Sequence, residues 1–200
     1  MGGLGRTIPG SYAQYTVARV ENVVAAGPSP PPPPLPLPWA ELAALPESYC
    51  TAWTCLFRNL ALRRGQRLLI RGASSAFGRA ALNLAVDAGA MVTATTRSEG
   101  KFAELCALGA VDAVLEGQGL PERLLGAGGE KFDAVLELVG NSTVVESLTL
   151  VRRDGRLCLA GWLGGLDPIK DFNPLLTIVR SVAEGKYDAK LFKVFKFDEI

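Results

Sequence analysis

An α/β fold built on a doubly wound parallel sheet of about five strands is predicted by three features of this 200-residue sequence. From about residue 66 to 162, short apolar runs alternate strictly with helical segments. The runs are almost continuously apolar, as strands buried on both faces must be. The connections are short, and only right-handed crossovers with helices on both faces satisfy that order.

The first zone, residues 10–25 (GSYAQYTVARVENVVA), alternates aromatic or β-branched residues with polar ones, which predicts one or two strands. Residues 28–38 are proline-rich; they lock φ, remove donors and must be extended polyproline II. A stiff linker fits better than a docking motif, because no Arg or Lys flanks the prolines. Trp39–Leu42 opens a short helix, and Pro46 starts another whose wide apolar face is Tyr49, Trp53, Leu56, Phe57 and Leu60. Arg63-Arg64-Gly65 is expected to end it.

Strand one is Leu68–Ile70, followed by a glycine-bearing turn and a helix from about Ala76 to Ala88. On that helix Arg79, Asn83 and Asp87 leave a single thin polar stripe, so most of its surface is buried. Gly89 stops it, and Met91–Thr95 is strand two. Glu99–Leu108 reads as a helix with Phe102, Leu105 and Cys106 inward, and Val111–Leu115 as strand three. Pro121 heads a short helix, Phe132–Val139 is strand four, and Thr143-Val144-Val145-Glu146 fits a capping box. Arg152–Gly155 turns the chain into strand five, Arg156–Ala160.

Composition limits the chemistry. The chain is 48% apolar and 20% charged, enough to bury a core, with 21 basic and 20 acidic residues for a net charge of +1. Such a balance gives no general attraction to nucleic acid or anionic membrane. No run is long and apolar enough to span a bilayer, and MGGLGRTIPGSYAQ lacks both a secretory signal and the Ser or Thr a myristoyl site wants at Arg6. The absence of histidine removes His triads, His bases and His metal ligands. Cys50, Cys55, Cys106 and Cys158 form no CxxC pair and read as reduced core thiols, which predicts a cytoplasmic protein without a metal site. Reactivity must come from a cofactor.

The turn after strand one, Arg71-Gly72-Ala73-Ser74-Ser75-Ala76-Phe77-Gly78, stands where a dinucleotide diphosphate meets a helix N-terminus. Gly72 permits the tight turn, Gly78 lets the helix pack on the strand, and Ser74 and Ser75 can add hydroxyl donors. Ser75 and Ala76 occupy the place where glycine is commonest. After strand two, an NAD site would carry a carboxylate for the ribose 2′-hydroxyl. This chain has Thr95-Thr96-Arg97-Ser98 instead, with Lys101 nearby. The Arg97 fork suits a 2′-phosphate, so NADP(H) is the expected cofactor. Val139 and Gly140 end strand four, and Gly161 and Trp162 follow strand five; these loops should flank the nicotinamide half. Glu137, inside an apolar strand, reads as structural rather than as a base.

GSYAQYTV, LPESYCTAW, RGASSAFG, TTRSEGK, DAVLELVG and AEGKYDAKLFKVFKFDEI, in that order from Gly10 onward, resemble the zinc-independent quinone oxidoreductases of the medium-chain dehydrogenase/reductase (alcohol dehydrogenase-like) superfamily. The resemblance implies an NADPH-dependent reductase of quinones, enones or related carbonyls, with a GroES-like β domain before a Rossmann domain. Residues 1–27 would then be a remnant of the catalytic domain, 28–38 the linker, 39–180 the NAD(P)-binding domain and 181–200 a return segment. Family members are longer, so a truncated relative is expected. By likeness Thr51 approaches the nicotinamide end, Ser74, Ser75, Ala76, Phe77 and Gly78 form the pyrophosphate loop, and Thr96, Arg97, Ser98 and Lys101 surround the 2′-phosphate. Gly117 stands where relatives often have a tyrosine. A homodimer is weakened by an apparently missing sixth strand. No catalytic residue is assigned, since water can protonate the reduced oxygen. The alternative is an NADP(H)-binding module without turnover. A short-chain reductase is disfavoured, because Tyr187-Asp188-Ala189-Lys190 is one residue short of its Tyr-x-x-x-Lys.

Overall fold

A computed structural model describes residues 9–10, 12–24, 37–126, 128–170 and 172–173. The proline-rich stretch 28–36 and the segment 181–200 lie outside the described residues. The chain divides into two units, Met1–Ala43 and Ala44–Ile200.

In the first unit, residues 12–24 contain no strand. They carry one 3-10 turn, Val20–Asn22, and Tyr12, Tyr15, Val17 and Val20 are exposed. The alternation expected to make strands lacks a ladder to supply the backbone partners that a strand needs.

The second unit holds the sheet: β1 Arg67–Arg71, β2 Met91–Thr96, β3 Asp112–Leu115, β4 Phe132–Glu137 and β5 Val151–Leu159. All neighbours pair in parallel, in the order β3-β2-β1-β4-β5. Between them run α2 Ala76–Asp87, α3 Phe102–Ala107, α4 Leu120–Leu125 and α5 Val144–Leu150, with α1, Trp39–Trp53, ahead of them all. The doubly wound architecture expected from the alternation is therefore present. Its order reverses between β1 and β4, so their carboxyl ends open a crevice at the switch point.

The core explains the strand compositions. Leu68, Leu69, Ile70, Val92, Ala94, Val135 and Leu136 are wholly buried. One face of the sheet packs with α2 through Ala81, Leu82 and Ala85, while Leu69, Phe132 and Val135 meet Leu120 and Leu150 in a second cluster. Burying each of the leucine, isoleucine, valine and phenylalanine side chains contributes roughly 1.5–3 kcal/mol. No helix among the described residues is long and apolar enough to cross a membrane.

Several local expectations change. Trp39–Trp53 is one helix, with Pro46 inside it rather than at the start of a second. It continues as a π-helical segment, Thr54–Asn59, and ends where Ala61 takes a positive φ of 49°, before Arg63–Gly65. Strand five begins earlier, at Val151; Arg152–Gly155 bulge, since Phe132 faces Val151 but Ala134 already faces Arg156. The capping box does not form. Thr143 donates its hydroxyl to the Gly140 carbonyl at 3.1 Å, and Glu146 turns to Arg71 at 2.9 Å, because a buried guanidinium is a stronger donor than a helix-end amide.

Only Cys55 and Cys158 are core thiols; Cys50 and Cys106 are exposed. On short α3 Leu105 takes the inward position, which turns the next residue, Cys106, outward. Burial, together with Cys158, pushes the Cys55 thiol up to about 12. A thiol reagent applied to the native protein should therefore add to Cys50 and Cys106 alone, and reach Cys55 and Cys158 only after denaturation. Mass spectrometry counts the adducts; four under native conditions would contradict this burial.

Candidate active site at the carboxyl edge of the sheet

The bend between β1 and α2 is held from within. Gly72 has φ +80°, a conformation costly for a residue with a Cβ. A Cβ on Gly78 would sit 2.5 Å from the Gly72 carbonyl oxygen and 2.6 Å from the Ala73 Cα, so helix and bend can meet only at glycine. Ser75 is the N-cap of α2: its Oγ accepts from the Gly78 N–H at 3.0 Å and donates to the Gly72 carbonyl at 2.9 Å. Its own N–H goes to the Gly72 carbonyl as well, and the Ala73 N–H to the Thr95 carbonyl. Among the described residues, the amides of Ser74, Ala76 and Phe77 are left without an acceptor. The Ser74 hydroxyl accepts from Thr96 at 3.1 Å, which leaves its proton free to donate. Two helix-end amides and a serine beside them leave donors at the bend, a geometry suited to an anion.

Next to this bend lies a cleft of about 270 Å³. Of the expected site residues, Ser74, Ser75, Thr96, Arg97, Lys101 and Val139 line it. Ala76, Phe77 and Gly78 belong to the helix start behind the bend, and Ser98 precedes the 3-10 turn Glu99–Lys101 that carries Lys101. Gly140, Gly161 and Trp162 come together without lining the cleft: a Cβ on Gly140 would meet the Gly161 carbonyl oxygen at 3.1 Å and the Trp162 Cα at 3.2 Å. Thr51 is exposed on α1 and is not part of the cleft wall. Arg97 is exposed, and no hydrogen bond or ion pair engages it among the described residues.

The cleft also contains residues that the sequence pattern does not mark as binding groups: Gly72, Glu116, Leu163 and Gly164. Leu163 reaches over the bend, its Cδ1 2.9 Å from where a Gly72 Cβ would stand. Beneath the floor, Arg71 is fully buried at the end of β1. Its guanidinium forms a two-bond fork with Glu116, through Nε at 3.2 Å and through Nη2. It also meets Glu146 at 2.9 Å and Glu137 at 3.7 Å, and donates to Ser147 Oγ at 2.9 Å. Burial pulls the Arg71 pKa down, but Glu116 and the other two carboxylates outweigh it and hold it above its ordinary value. Burial likewise pushes the Glu116 carboxyl up; Arg71, Thr95 and the Gly117 N–H overcome this and keep it below the usual carboxylate range.

Glu137 is structural, as expected. Its Oε1 accepts from the Val139 and Gly140 N–H groups at 2.8 and 3.1 Å, while Ser147 donates to Oε2. It thereby shapes the loop after β4. No buried side-chain nitrogen or oxygen among the described residues lacks a partner. The signal for this network was a charged residue in or directly after each of three apolar runs, Arg71, Glu116 and Glu137.

A family model described as zinc-binding dehydrogenase matches residues 76–184, more than half of the chain. The chain belongs to this family, within the medium-chain dehydrogenase/reductase superfamily. Among curated relatives, quinone oxidoreductase-like protein 2 of Bos taurus is 30% identical over 165 residues, 78% of this chain and 46% of the relative. Among solved structures, an NAD-dependent alcohol dehydrogenase is similar with a TM-score of 0.73 and 28% identity, covering 92% of this chain and 57% of the other. The quinone oxidoreductase of Thermus thermophilus, solved alone and with NADPH, is similar with a TM-score of 0.57 and 32% identity, over 76% of this chain and 54% of that one. This dehydrogenase-family chain thus spans about half the length of the relatives it matches. The zinc in the family's description finds no ligand set among the described residues, where no group of three or more Cys, Asp or Glu is disposed to hold a metal ion, and the chain has no histidine.

Proposed function

We propose that this chain binds NADP(H) across the carboxyl edge of the sheet and serves a zinc-independent oxidoreductase that reduces a quinone, enone or related carbonyl. The observation that carries the reading is Arg97, exposed at the rim of the cleft and engaged by no other described residue. With Lys101 beside it, it is placed to take a 2′-phosphate, in a position where an NAD site would have a carboxylate. The amides of Ser74, Ala76 and Phe77 would hold the diphosphate, and the loops after β4 and β5 would flank the nicotinamide. The family membership, the quinone oxidoreductase-like relative and the NADPH-bound structural neighbour support the same reading.

A bound nicotinamide would supply the hydride, an acceptor would take it at carbon, and water would protonate the resulting oxygen or enolate. The chain's own contribution is orientation: donor and acceptor must lie within about 3–3.5 Å of each other. Val139 and Leu163 present apolar surface there, which limits water. We place the protein in the cytoplasm, acting on a small molecule rather than on nucleic acid or membrane. Fluorescence titration with NADPH and NADH tests the cofactor. NADPH should bind at least about tenfold more tightly, the worth of one charge-assisted hydrogen bond; equal affinities, or none, would overturn the assignment. The alternative, binding without turnover, shares the same cleft and is separated from the enzyme by steady-state NADPH oxidation with a simple quinone.

A further inference from the structure

Arg71 and Gly72 are neighbours in the chain, yet a path of hydrogen bonds through side chains leads from one back to the other. The Gly72 N–H donates to Thr95 Oγ1 at 3.1 Å. The Thr95 hydroxyl donates to Glu116 Oε2 at 2.5 Å, and that same oxygen accepts from Arg71 Nε at 3.2 Å. The ring closes through the peptide bond between Arg71 and Gly72. A hydroxyl has one proton, and Glu116 takes it, so the lone pair of Thr95 must face Gly72. The direction of the contact is thereby settled before any ligand arrives.

Thr95 lies wholly buried in a parallel strand, where an apolar residue of the same shape would pack equally well. Among the described residues its hydroxyl makes no hydrogen bond besides those to Gly72 and Glu116. Its main-chain carbonyl accepts from the Ala73 N–H at 2.9 Å. One residue of β2 therefore holds two consecutive amides of the bend, and neither remains available to a ligand. The amides that do remain, those of Ser74, Ala76 and Phe77, follow directly in the chain.

We propose that Thr95 is a positioning residue: with Glu116 and Arg71 it fixes Gly72 and Ala73 so that the next amides converge on a dinucleotide diphosphate it never touches. The consequence for binding rests on the NADP(H) reading above, whereas the ring itself does not. Such a role is preorganisation, in which ordering the bend in advance removes a cost from binding.

Two variants separate the hydroxyl from the shape. Thr95→Val keeps the branched outline and removes the hydroxyl; Thr95→Ser keeps the hydroxyl and removes a methyl. Amide hydrogen exchange at residues 72–75, in the protein without added dinucleotide, reads the ring directly, and NADPH and NADH titrations read its consequence. Thr95→Val should speed exchange at Gly72 about tenfold and weaken both dinucleotides by a similar factor of about ten, since the diphosphate is common to them. Thr95→Ser should match the wild type in both readouts. The proposal is overturned if Ser harms as much as Val, which would indicate packing. It is equally overturned if Val leaves exchange unchanged, or speeds exchange without loss of affinity. Should the wild type bind neither dinucleotide, the cofactor reading fails by itself, and the exchange comparison still upholds or overturns the ring.

Discussion

Replacing Arg71 with methionine should destabilise the protein by about 3–5 kcal/mol, the usual cost of removing one partner from a buried ion pair. Methionine has similar length and no charge, so the loss is electrostatic rather than volumetric. The wild-type guanidinium, fully buried, serves three carboxylates, of which Glu137 is fully buried and Glu116 nearly so. Without it the largely buried Glu116 has no cation to offset its desolvation and favours the protonated form. Urea unfolding at several pH values measures both the size of the effect and its sign. In the wild type, folding holds Glu116 below its ordinary range. Its contribution is thus present above the unfolded carboxylate pKa of about 4.3 and fades as pH falls through the lower folded value. In Arg71→Met the Glu116 carboxyl keeps the burial that raises it and loses the cation that lowers it, so stability is greatest below the unfolded pKa and is lost as pH rises through the folded one. The variant should therefore be more stable at pH 5 than at pH 8. A loss under about 1 kcal/mol, or a pH dependence like that of the wild type, would show that Arg71 is not the hub of this network.

Arg97→Gln should weaken NADPH by about 10- to 100-fold while changing NADH less than about twofold. A hydrogen bond to a charged group contributes about 1.5–3 kcal/mol, and each 1.4 kcal/mol is tenfold in affinity. Only the 2′-phosphate distinguishes the two dinucleotides, so the effect should fall on one of them. Arg97 is exposed and supports no other described group, and unfolding transitions of wild type and variant should coincide. Parallel titrations of the two proteins make the comparison. Equal losses for NADPH and NADH would mean that Arg97 contributes general positive charge, not recognition of the phosphate.

The residues that could be found without coordinates share a property. Ser74 and Ser75 are legible because a glycine turn between an apolar run and a helical period is written in consecutive residues. Arg97 and Lys101 are legible for the same reason, since they directly follow the second run. Glu116 is not, because its importance depends on Arg71 and Thr95, 45 and 21 residues earlier in the chain. The strands expected in residues 10–25 show the opposite failure: an alternating pattern is present, but pairing needs a second strand that local pattern cannot guarantee. Cys106 is similar, for it differs from buried Leu105 only by which side of a short helix meets the sheet.

Local pattern alone dictates the succession of strands and helices, the parallel sheet that succession requires, and the glycine-bearing bend after the first strand. These follow from periodicity, glycine placement and connection length, each readable within a few neighbouring residues. Strand order, the cleft, and the burial of one arginine among three carboxylates at the ends of separate elements were settled by packing in three dimensions. Charge pairing in a low-dielectric interior depends on distance in space, and the distances were set when the sheet brought four carboxyl-terminal loops to one edge.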